Sequence, residues 1–145
     1  MNKYTDKIMR GITALAEEGK AKAEFEFDRA IYAGPNETKI YLTETKDGYE
    51  IEARGKDVLF KEYGTGLQSG TRAGSYGQHR GSNPKGWFYP ASRGLGENKP
   101  VDTEISSKNS NLIHTYGNPP NRCMYYTHRH LEEKMEEIFD REWEK

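Results

Sequence analysis

Seven glycines fall between residues 64 and 86, at Gly64, Gly66, Gly70, Gly74, Gly77, Gly81 and Gly86. Glycine loses more conformational freedom on ordering than any other residue, so this stretch cannot hold a helix or strand on propensity alone. It divides the chain into two flanks that must supply the regular structure. It also predicts a long exposed loop, and loops beyond about 12 to 15 residues are usually functional or disordered. The chain as a whole is thin in apolar residues. Leu, Ile, Val and Phe make up 22 of 145 residues, below the level of roughly 20% at which disorder becomes plausible. Disorder also calls for high net charge and few aromatics, whereas this chain has a formal net charge of -1 with ten Tyr, five Phe and two Trp. The balance predicts a single domain over residues 1–145, with a core small enough that partner subunits complete it.

Before the glycines, Tyr4, Ile8, Ile12 and Leu15 recur at helical spacing, predicting a helix over 3–23 that Gly19 weakens near its end. From Thr38 the period changes to two. Ile40 and Leu42, then Tyr49, Ile51 and Ala53, flank Lys46-Asp47-Gly48, a hairpin signal because Gly accepts the positive φ of a tight turn. A third run, Val58 to Tyr63, extends this to a three-stranded antiparallel meander over 38–63. After the glycines, Trp87 to Tyr89 predict a short strand near 86–89, stopped by Pro90 within long loops spanning 64–117. Asn118-Pro119-Pro120 supplies a capping residue and prolines for a last helix over 120–143. Its stripe is Met124, His128, Leu131, Met135, Ile138, Phe139 and Trp143, with a Glu137–Arg141 pair outside. The fold class expected is α+β: N-terminal helix, small antiparallel meander with a long Gly-rich loop, and C-terminal amphipathic helix.

Charge is uneven along the chain. Residues 1–60 carry 10 basic and 12 acidic side chains, residues 61–99 carry 6 and 2, and residues 100–145 carry 6 and 9. The near-neutral whole argues against a globally basic nucleic-acid binder. A basic segment remains, in which Arg72, Arg80, Lys85, Arg93 and Lys99 interleave with Tyr76, Trp87, Phe88 and Tyr89. Cations beside stacking faces suit nucleic acid, docking on an acidic protein, or a loop that is merely solvated. One Cys excludes an intrachain disulfide and fits a reducing compartment. No run in Met1–Arg10 reads as a secretion signal and none elsewhere reaches a membrane span, so a protein made in a cytoplasm is expected. Asn36-Glu37-Thr38 matches a glycosylation acceptor by chance in that setting.

Motifs for small-molecule chemistry fail on spacing. The run from Gly64 to Gly70 has one residue too many for GxGxxG, and Trp87 stands where a Walker A lysine would follow Gly81 and Gly86. His128 and His130 point about 200° apart on a helix, so they cannot chelate one metal; the spacing puts His128 on the core stripe and His130 in solvent. Cys123 in a first helical turn is placed to have its pKa lowered by the macrodipole, but no base accompanies it, and a packed thiol is the plainer reading. His79 and His114, beside basic residues in loops, could serve a small nuclease as general acid and base. No cofactor or metal is expected.

Three stretches then combine. Phe60-Lys61-Glu62-Tyr63-Gly64-Thr65-Gly66, Gly86-Trp87-Phe88-Tyr89, and His114-Thr115-Tyr116-Gly117-Asn118-Pro119-Pro120-Asn121-Arg122 before a terminal helix resemble, in this order, the neck or head-tail joining (tail-completion) proteins of tailed bacteriophages and prophages. Lys61 and Cys123 depart from the apolar or proline residues of that pattern. The resemblance implies a virion structural protein without a catalytic site. It would form a ring, six-membered rather than twelve-membered, at the head-tail junction of the virion. Its partners would be copies of itself, portal-adaptor or head-completion proteins, tail-tube or tail-terminator proteins, and passing DNA contacted non-specifically. Phe60 is then expected to be buried, with Glu62, Tyr63, Gly64, Thr65, Gly66 and Trp87 orienting the loop at an assembly interface. The basic set from Arg72 to Lys99 would face a partner or the DNA channel. The alternative from the residues alone is a small nuclease or nucleic-acid-binding protein using the basic aromatic loop with His79 and His114.

Overall fold

The first helix, α1 (Lys3–Asp28), is capped by Asn2, whose side chain accepts from the Tyr4 amide. In the computed structural model, which describes residues 2–66 and 85–145, it runs five residues past the expected end. The extension follows from burial: Ala23 and Phe27 are fully enclosed, which outweighs a weak glycine. Gly19 is a packing site instead. A Cβ there would lie 2.5 Å from Ile51 and 2.8 Å from Leu131, and one at Gly11 would lie 2.7 Å from the Phe139 ring. The two glycines let the last helix, α3 (Cys123–Glu144), close on α1.

These helices are antiparallel. Lys7 donates to the Trp143 carbonyl, Arg10 to that of Glu142 at 3.2 Å, His130 lies 2.6 Å from Glu18, and the Cys123 thiol donates to the Glu26 carbonyl at 3.4 Å. The expected histidine roles are therefore exchanged. His128 has a side chain 72% exposed beside Glu132, while half-buried His130 joins the helices; seven residues separate Cys123 from His130 on the face toward α1. Glu137 pairs with Lys134 at 2.6 Å rather than with Arg141, which turns to Glu142.

Strands β1 (Lys39–Thr45) and β2 (Gly48–Arg54) form the expected hairpin, registered from Lys39 opposite Arg54 to Thr45 opposite Gly48. It lies on α1, with Tyr49 and Thr13 hydroxyls 3.0 Å apart. The expected third strand is not one. Val58–Tyr63 is a short helix, α2, because a helical turn brings Asp57 and Lys61 to the same side, where they pair at 2.7 Å; a strand would separate them. The meander thus reduces to a two-stranded sheet. A second antiparallel sheet has the order β3-β5-β4, built from β3 (Trp87–Pro90), β4 (Glu104–Ile105) and β5 (Leu112–Thr115). Its first strand was anticipated and the other two fell in presumed loop, since runs of two and four residues are too short to show a readable alternation. The architecture is α+β: N-terminal helix, two small antiparallel sheets, C-terminal helix. Phe27, Ala30 and Cys123 centre a small core, joined by Ile40, Ala53, Val58 and Met124.

Candidate functional site

The Gly-Thr-Gly segment and the Tyr116 to Asn121 segment, 50 residues apart in sequence, are bonded to each other. Thr65 N–H donates to the Asn118 carbonyl at 2.8 Å and Asn118 N–H returns to the Thr65 carbonyl at 3.2 Å. The Asn118 side chain closes the lock. Its amide donates to Thr65 Oγ1 at 3.1 Å, and its Oδ1 accepts from the Ala33 N–H at 2.7 Å. Asn121 works similarly, accepting from Ile31 N–H at 2.8 Å and donating to the Ile31 carbonyl at 3.0 Å. Side-chain amides offer a donor and an acceptor, so each substitutes for a missing backbone partner in this strandless region. Asn118 is thus a latch between three segments and not the helix cap expected of it.

The cap of α3 comes from elsewhere. The Glu62 carboxylate accepts from the backbone N–H groups of Met124 at 2.8 Å and Tyr125 at 3.3 Å, at the end where the helix dipole favours negative charge. Gly64, at φ 75°, ends α2; a Cβ there would lie 2.7 Å from the Asn118 carbonyl. Gly66, at φ 64°, lies against Trp87, whose ring would meet a Cβ at 2.6 Å. The ends of the glycine-rich stretch leave from one place: Gly66 adjoins the Tyr116 carbonyl and Gly86 that of Thr115.

Of the expected site residues, Glu62, Gly64, Thr65, Gly66 and Trp87 come together here. Phe60 is half-buried rather than buried, because it lines an open cleft, and Tyr63 is exposed. Arg72, Arg80, His79 and Tyr76 lie outside the described residues. The remaining cations do not form one patch: Arg93 lines the cleft, Lys99 donates to the Thr103 carbonyl at 2.7 Å, and exposed Lys85 offers its carbonyl to His114 Nε2 at 2.8 Å. His114 stands between the rings of Phe88 and Tyr116, with centroids 4.9 and 4.8 Å away, as a packed spacer.

The cleft has a volume of about 490 Å³, and its walls include Tyr32, Phe60, Trp87 and Tyr89, with Lys56, Arg93 and Glu37 among its charged residues. Burial, reinforced by the Asp57 carboxylate, pushes the Tyr32 phenol up to about 12. Burial also raises Tyr89, whose hydroxyl donates toward the Ala33 carbonyl at 2.9 Å. Behind the cleft, Lys61 and Asp57 are 2% and 1% exposed. Lys61 Nζ also donates to Asn36 Oδ1 at 2.6 Å, so the glycosylation-like asparagine is a structural acceptor. Burial pushes the Cys123 thiol from 9.0 up to about 12, with the Glu62 and Glu26 carboxylates adding to it. The lowering expected from the helix end is overturned, because the thiol is enclosed in the core. Sequence reasoning missed Tyr32 altogether and did not foresee the structural roles of Asn36, Asn118 and Asn121; the two asparagines bracketing Pro119-Pro120 were the available signal.

Among the described residues, no group of His, Cys, Asp and Glu is arranged to hold a metal, and no helix is long and apolar enough to cross a membrane. Comparison with family models, curated proteins and solved structures returns no match.

Proposed function

We propose that this protein is a structural subunit of a tailed-phage or prophage virion, forming a ring at the head-tail junction. The observation that carries the reading is that the motifs behind the resemblance make one physical unit. Phe60 to Gly66 and Tyr116 to Asn121 are locked by Thr65, Asn118 and Asn121, and the lock fixes both roots of the glycine-rich stretch beside Trp87. That arrangement suits a rigid base presented to a neighbouring subunit.

The surface agrees with a chain that expects neighbours. Among the described residues only Phe27, Ile113 and Ile138 are large apolar side chains in the core, beside four alanines and Cys123. Among the described residues, fifteen large hydrophobic side chains are exposed, including Tyr4, Ile8, Phe25, Tyr126 and Trp143. Contact with ring neighbours would bury part of that surface. The expected assembly is a six-membered ring joining portal-adaptor or head-completion proteins to tail-tube or tail-terminator proteins.

Deleting the gene from the phage or prophage that encodes it tests the reading. Filled heads and finished tails that fail to join, with the protein present in wild-type virions by quantitative mass spectrometry, are expected. Infectious particles lacking the protein would end the proposal.

A further inference from the structure

The cleft contains donors without acceptors. Among the described residues Arg93 and Lys56 make no hydrogen bond or ion pair, nor do the Tyr32 hydroxyl and the Trp87 indole N–H make a hydrogen bond, though all four residues line it. Tyr32 keeps its proton to about pH 12, so it remains a donor at any physiological pH. Four aromatic walls offer stacking surface beside these donors. Such a site takes an aromatic group carried next to carboxylates.

The chain displays that combination on another face. Along α3, Tyr126, Glu133, Glu136 and Asp140 are spaced 7, 3 and 4 residues apart, which lays them along one stripe. All four are exposed. The carboxylates of Glu133, Glu136 and Asp140 form no hydrogen bond or ion pair among the described residues. The stripe lies away from the α3 side that packs on α1, where Cys123, Thr127, Ile138 and Glu142 are buried. No residue of α3 lines the cleft.

We propose that the cleft receives the Tyr126–Asp140 face of α3 from a second copy of this chain, Tyr126 entering between the aromatic walls and the carboxylates meeting Arg93 and Lys56. The two surfaces differ, so the contact is heterologous: each copy offers one face and one cleft, and repetition builds a ring or a filament. Nucleic acid fits the cleft less well. Its walls carry two cations against the Glu37 carboxylate, too few to follow a phosphate backbone. The proposal rests on the ring reading above only for its biological setting.

The test uses the full chain, with Arg93→Glu and Glu136→Arg variants checked for unchanged circular dichroism. Sedimentation velocity at low salt is expected to show assemblies larger than dimers for the wild type. Each reversal should weaken assembly by at least about tenfold. An equimolar mixture of the two variants restores both kinds of charge pair and should recover it, as should the double variant. A wild type that stays monomeric up to about 1 mM, reversals without effect, no recovery on mixing, or a closed two-fold dimer would each overturn the proposal. So would a cleft that binds an unrelated acidic peptide or single-stranded DNA equally well in chains that do not self-associate. The outcome is separable from the virion experiment. Assembly through this contact by a protein absent from particles removes the functional reading alone; infectious particles built with Arg93→Glu remove this inference alone.

Discussion

Lys61 is buried against Asp57, and replacing it with an apolar residue should be damaging. The ammonium is 2% exposed and lies 2.7 Å from the Asp57 carboxylate, with Asn36 Oδ1 at 2.6 Å and the Tyr32 ring centroid at 5.7 Å. Asp57 is as deeply enclosed. Its Oδ2 accepts from the Glu37 N–H at 3.1 Å, and its Oδ1 has no hydrogen-bond partner among the described residues. Lys61→Met keeps the volume but leaves Asp57 charged in a site where, among the described residues, Lys61 is its only counter-ion. Removing one member of a buried pair costs about 3–5 kcal/mol, a large part of the roughly 5–15 kcal/mol that holds a domain together. Urea unfolding followed by circular dichroism should show a midpoint lower by about 2 M if the slope is near 2 kcal/mol/M. The double variant Asp57→Asn/Lys61→Met removes both charges while the asparagine still accepts from Glu37. It should recover to within about 1 kcal/mol of wild type, because the loss arises from the stranded charge and not from any net strength of the pair. A Lys61→Met variant as stable as wild type, or a double variant as unstable as the single one, would refute this reasoning.

Two other perturbations test neighbouring parts. Asn118→Ala strands the buried Ala33 N–H, now bonded at 2.7 Å, and should cost about 1–3 kcal/mol, seen as a Tm lower by roughly 3–10 °C; an unchanged Tm would show that the latch is dispensable. Cys123 and Tyr32 both hold their protons more tightly folded than unfolded, with values rising from 9.0 and 10.0 to about 12. Their contribution is therefore complete below about pH 9 and is lost as pH climbs towards 12. Urea midpoints measured upward from about pH 8 should fall, and Cys123→Ala should flatten the first part of the decline; an equally steep profile would remove the thiol as its source.

Local signals carried the elements whose residues could be judged alone. The stripe from Tyr4 to Leu15 located α1, the Asp47-Gly48 step located the hairpin, and the recurrence from Met124 to Trp143 located α3. Where the pattern was short, it misled. Val58 to Tyr63, read as a third short strand run after the hairpin, folds as α2 because the buried Asp57–Lys61 pair needs helical spacing. Strand β5 is held by pairing with β3 on one side and β4 on the other, which no local preference announces. His128 and His130 exchanged roles because a stripe drawn from apolar residues does not show which side of it the partner helix occupies.

At the candidate site the division is sharper. Residue type and spacing alone separated a glycine-rich stretch from two flanks, because they report backbone freedom and amphipathicity directly, whereas Glu62, Gly64, Thr65, Gly66 and Trp87 were singled out through the resemblance of their motifs. The tertiary structure alone decided what those residues do. It turned Glu62 into the cap of a helix 60 residues away and made Asn118 the latch on Ala33 and Thr65. It also opened a cleft whose walls come from segments between Tyr32 and Asn118. Hydrogen bonds between distant segments and the burial that raises the Tyr32 and Cys123 pKa values exist only once the chain has closed, so no window of sequence contains them.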